Sequence, residues 1–178
     1  MDIMGSWGTG PFDSDSALDY LGDLAQAVAS SSADDDYAIA PGSVDRPAVT
    51  EALRVVLTAT PAPGEDQRWA LDCMYAAAGL VAAALAGKDP SLVSGTRLFA
   101  AMAAGPGGQL PVGDDDQVLG LDNHCGFVAL LDRSSADALR VPALTAVATL
   151  AAAGRWLDGW NDVAEITDQL TRLARVLA

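Results

Sequence analysis

Apolar residues recur at three- and four-residue steps along most of the chain, and the recurrences break at clusters of Gly, Pro, Ser and Asp. That step is the spacing of one face of an α-helix. Leu18, Leu21, Leu24, Ala25 and Val28 predict a first helix from Asp15 to Ala29. Asp13 or Ser14 stands where a side-chain oxygen caps the free amides, and the first-turn acids suit the positive helix end. Ser30 to Ser32 and Asp34 to Asp36 then read as a solvated loop. Val49, Ala52, Leu53, Val56 and Leu57 predict a second helix starting at Asp45 or Arg46. Pro47 fits its first turn, where no amide partner is lost, and Pro61-Ala62-Pro63-Gly64 ends it. A third helix is expected from Glu65 to Ala86, closed by Gly87 as a C-cap residue. It is apolar nearly all round, so it should be the most buried element. A fourth begins at Asp89-Pro90-Ser91 and carries Leu92, Val93, Leu98, Phe99 and Met102.

The stretch from Leu110 to Arg140 is the least legible. Gly120 and Gly126 interrupt any helix, so Gln117 to Leu131 reads as a broken helix or a short extended piece. Pro142 to Trp156 predicts another helix through Leu144, Val147, Ala148 and Ala151. Asp162 to Leu177 predicts the last through Ile166, Leu170, Leu173, Ala174 and Leu177, with Arg172 and Arg175 near its negative end. Six or seven helices with short connections and no alternating strand pattern imply an all-α fold. The expected organisation is one domain over residues 1–178, with a loop at 106–117.

Length agrees: 178 residues is one domain's worth of chain at about 150 residues per domain. Charge narrows the partners. Ten Lys and Arg stand against 24 Asp and Glu, a net charge of −14. Nucleic-acid binders gain affinity by neutralising phosphates, so no nucleic-acid partner is expected. Docking on anionic membranes is disfavoured for the same reason. The run from Trp69 to Ala86 has Asp72 as its only charge. Its many alanines add little transfer free energy and the Asp is costly in lipid, so it reads as a core helix. Met1 to Ser6 has neither a basic nor an apolar signal region, so a cytoplasmic location is expected. Cys73 and Cys125 fit no metal spacing and read as two thiols in a reducing compartment. Abundant Ala, and Arg in preference to Lys, are the usage expected of a GC-rich bacterial genome and carry no chemistry of their own.

The most distinctive stretch runs Gly5-Ser6-Trp7-Gly8-Thr9-Gly10-Pro11-Phe12-Asp13-Ser14-Asp15-Ser16-Ala17-Leu18-Asp19-Tyr20-Leu21. It resembles the opening of an uncharacterised bacterial family catalogued as domain of unknown function 4259. That family opens with Gly-x-Trp-Gly-x-Gly-Pro-Phe-Asp-Asn-Asp. The resemblance covers Gly5 to Leu24 and departs at Ser14, where Asn is usual, and at Tyr20, where Phe or Trp is commoner. Residues 1–4 then look like an extension, with 5–24 as motif and first helix. The resemblance implies a small helical fold and brings no activity, substrate or catalytic residue.

The motif also has a physical reading. Gly8 and Gly10 permit a tight loop. Trp7 and Phe12 flank it and are large enough to pin it onto a bundle, while Asp13 caps the helix that follows. Three functional alternatives stand beside this packing role. A phosphate-cradling loop is disfavoured because Asp13, Asp15 and Asp19 would repel the anion. A divalent cation would find oxygen ligands in the same three residues, at a spacing unlike that of an EF-hand loop. A partner-binding edge would turn the aromatic pair and the acids outward.

Little other chemistry is visible. His124 is the only histidine, and as the neighbour of Cys125 it is badly placed to be its base, because adjacent side chains diverge. The Asp34–Asp36 and Asp114–Asp116 runs read as solvated loops that would steer a basic partner if they shared a face. Trp156 and Trp160, four apart, read as packing at the joint of the last helices. The expectation is therefore a non-catalytic acidic helical protein acting through protein–protein interaction. An immunity-type neutraliser of a basic partner is its specific form, with no cofactor and no metal. The alternatives are a metal-dependent enzyme or binding protein using the Asp13, Asp15 and Asp19 cluster, or a purely structural helical module.

Overall fold

The computed structural model describes residues 9–28, 46–64, 67–86, 131 and 133–178. Among the described residues there are six helices and no strand. They are α1 (Asp15–Val28), α2 (Arg46–Thr58), α3 (Gln67–Ala86), α4 (Arg133–Ala151), α5 (Gly154–Leu157) and α6 (Val163–Leu177). The all-α expectation holds. The expected fourth helix from Asp89, the Gly87 cap, the loop at 106–117, both Asp triplets, His124 and Cys125 lie outside the described residues, as do Trp7 and Gly8.

α3 is the centre of the bundle. Every residue from Leu71 to Ala83 is buried, and α1, α2, α4 and α6 all pack against it. Its composition explains how: apolar side chains on every face, many of them small alanines, let neighbours pack closely from several sides. By length and composition α3 could cross a membrane, but here most of it is enclosed by other helices. The outer helices are amphipathic. α2 buries Val49, Leu53 and Leu57, α4 buries Leu139, Ala143, Val147 and Leu150, and α6 buries Ile166, Leu170, Leu173 and Leu177. These stripes join one apolar core.

α3 is described from Gln67, and the expected start at Glu65 lies outside the described residues. Two other boundaries differ from expectation. α6 begins at Val163, with Asp162 as its cap: the Asp162 carboxylate accepts from the Glu165 amide at 2.9 Å. The largest difference is α4. Pro142 was expected to open a helix, yet it sits inside one that starts at Arg133 and stops at Ala151. Proline removes one amide and crowds the carbonyl four residues back. That carbonyl belongs to Ala138, an exposed residue, so water can satisfy it while Ala136, Leu139 and Ala143 hold the other side in the core. Trp156 belongs to the separate turn α5, which links α4 to α6.

Candidate functional site

The motif's described part is a tight turn locked by its own atoms. The Asp13 amide donates to the Gly10 carbonyl at 3.1 Å, and the Gly10 amide donates to the Asp13 carboxylate at 2.8 Å. Pro11 occupies the turn position that its fixed φ favours. Gly10 gives the Asp13 carboxylate its room: a Cβ there would lie 2.7 Å from Asp13 Oδ2 and would push that carboxylate off the Gly10 amide. Its φ lies outside the left-handed region, so proximity and not backbone freedom makes it glycine.

Asp13 is therefore not the helix cap. Ser14 is, its hydroxyl accepting from the Ala17 amide at 3.2 Å. One carboxylate cannot serve both ends of the turn, and the amide of Gly10 takes it.

The turn docks on α3 by shape. Phe12 is completely buried. A Cβ on Gly79 would lie 2.7 Å from both Cβ and Cγ of Pro11 and 3.3 Å from the Phe12 ring. Gly79 is thus the notch in α3 that receives the Pro-Phe pair. One turn earlier on α3, the Tyr75 hydroxyl donates to the Thr9 carbonyl at 2.8 Å in a buried bond. The staple expected of the aromatic motif is present in Phe12.

A second buried cluster adjoins the first. Tyr75, Trp156 and Trp160 meet edge to face, with ring centroids 5.5 to 5.9 Å apart. Such pairs add about 0.5–1.5 kcal/mol beyond their burial. The expected Trp156–Trp160 pair is real, and its third ring comes from α3. The Trp156 indole N–H donates to Asp72 Oδ1 at 2.7 Å, both groups being buried. Arg68, one turn before Asp72, donates to the Gly159 carbonyl at 3.1 Å. α3 thus holds α5 and the residues just after it at two points.

Electrostatics mark the same residues. Burial raises the Asp72 carboxyl above its ordinary value, while the Trp156 indole, the Arg68 charge and the Ser16 hydroxyl act the other way. Burial also raises Asp13, opposed by the Gly10 amide and reinforced by the nearby Glu165 charge. Burial, then the Asp72 charge, pushes the Cys73 thiol up to about 12. A nucleophilic cysteine needs the opposite shift, so Cys73 is a buried apolar thiol.

Asp13, Asp15 and Asp19 do not converge. Asp13 points into the turn, whereas Asp15 and Asp19 lie on the exposed side of α1. No group of three His, Cys, Asp or Glu among the described residues is arranged to hold a metal ion. The exposed acids form a different pattern. Asp15, Asp19 and Asp23 follow at four-residue steps on α1, a helix without Lys, Arg or His.

Sequence reasoning missed Asp72, Tyr75, Gly79 and Arg68. A lone carboxylate and a lone glycine inside an apolar helix were the available signals. A buried carboxylate needs a donor, and a mid-helix glycine in a core needs a neighbour that comes close.

These features belong to a small helical protein built around a Gly-Pro-Phe-Asp turn. Residues 5–99 match the family model described as Domain of unknown function (DUF4259). The match spans more than half of the 178 residues, and the chain belongs to that family. The turn and its notch at Gly79 both fall inside the matched span, whereas Trp156 and Trp160 fall beyond it. No curated protein and no solved structure matches the chain.

Proposed function

We propose that this is a non-catalytic protein-interaction module that engages a basic protein partner through its acidic surface. The observation that carries the reading is the exposed row of Asp15, Asp19 and Asp23 on α1. Like charges at four-residue steps weaken a helix by about 0.2–0.5 kcal/mol per pair. Asp15 suits the positive helix end, but Asp19 and Asp23 lie beyond it, and such a row on a chain of net charge −14 suits a surface that steers an oppositely charged partner. The Gly-Pro-Phe-Asp turn does not compete for this role, because Phe12 and Asp13 are committed to packing, whereas Asp15 and Asp19 of the same motif face outward and belong to the row. The specific form proposed is an immunity-type neutraliser of a basic toxin domain, acting in a bacterial cytoplasm.

The test is binding by the full chain and by Asp19→Asn/Asp23→Asn, which leaves Asp15 at the helix start. The candidate partner is the product of the neighbouring gene, co-expressed with each form. Expected is a complex with the native chain whose association slows in the variant and with added salt. A complex indifferent to both would overturn the charge-led reading. A neighbouring product that is neither basic nor bound would overturn the immunity form.

A further inference from the structure

We draw no further inference here: the strongest candidate, the buried side-chain cluster around Asp72 where the polar atoms of Ser16, Tyr20 and Trp160 have no hydrogen-bond partner among the described residues, carries nothing because nothing among those residues shows what would satisfy them.

Discussion

Gly79 sets helix propensity against packing. In an isolated helix Gly→Ala gains about 0.8–1.0 kcal/mol. Here the new methyl would lie 2.7 Å from Pro11 Cβ, so the turn or α3 must shift. Overpacking of this kind costs about 1–3 kcal/mol, which outweighs the propensity gain. Gly79→Ala is therefore expected to lower the urea midpoint, and a raised midpoint would show that nothing occupies the notch. Phe12→Ala should cost more, about 3–5 kcal/mol, because it empties a fully enclosed site. Ser14→Ala should cost less, about 0.5–2 kcal/mol, as a lost cap does. That order, read from midpoints at unchanged slope, separates staple from cap. Asp72 gives a pH signature. Burial raises its folded-state pKa above the ordinary 3.8. Below that value both states hold the proton. Above it the unfolded chain releases first, so the contribution of Asp72 to stability declines as pH rises through the folded pKa. Asp72→Asn keeps a carbonyl for the Trp156 indole and removes the charge. Its stability relative to the native chain should therefore increase from about pH 4 towards neutrality. A difference that stays flat with pH would mean that Asp72 titrates normally. At this scale the motif was half legible. Phe12 announced itself by size, while the choice between Asp13 and Ser14 as cap depends on which amide lies closer.

Elements were legible where one face alone decides burial. α2 and α6 each bury a stripe that the sequence spaces correctly, and on α1 the expected Leu21 and Leu24 are buried together with Ala17 and Tyr20, which the spacing did not single out. α3 was legible for the opposite reason, having no polar face to misplace. α4 was not, because proline is a strong local stop signal that tertiary packing overrode. The override works because the lost hydrogen bond falls on the exposed Ala138 side while the buried stripe runs on through Leu139, Ala143, Val147 and Leu150. Proline inside a helix costs about 3 kcal/mol relative to Ala in an unadapted helix. α4 has adapted, and water reaches the affected carbonyl, so Pro142→Ala should recover only part, about 1–2 kcal/mol. Thermal unfolding should then move upward. A lowered Tm would show that the helix needs its proline-shaped bend to fit α2 and α3. The contacts that join elements were not legible at all. Trp156 meets Asp72 across 84 positions of sequence, and no local pattern encodes which carboxylate an indole will find.

Across the whole molecule the dominant fact is an uncompensated charge of −14. The described bases do little to offset it at long range. Arg54, Arg140 and Arg172 each pair with an acid of their own helix, Glu51, Asp137 and Asp168, and exposed pairs of this kind contribute about 0–1 kcal/mol. Self-repulsion of a highly charged chain opposes compactness, and salt relieves it. The Debye length falls from about 30 Å at ~0.01 M to about 10 Å at ~0.1 M, so stability should rise over that range. The Asp19→Asn/Asp23→Asn variant turns this into a test of purpose. Removing those two carboxylates relieves repulsion between Asp15 and Asp19 and between Asp19 and Asp23, each about 0.2–0.5 kcal/mol. Asn and Asp have similar helix propensity, so little else changes. The variant should therefore be slightly more stable than the native chain at low salt, with the gain shrinking as salt is added. If the row exists to meet a basic partner, the same variant should associate with that partner more slowly, because rim charges act chiefly on the encounter rate. A chain that gains stability and loses no association would leave the acidic row without a role in binding.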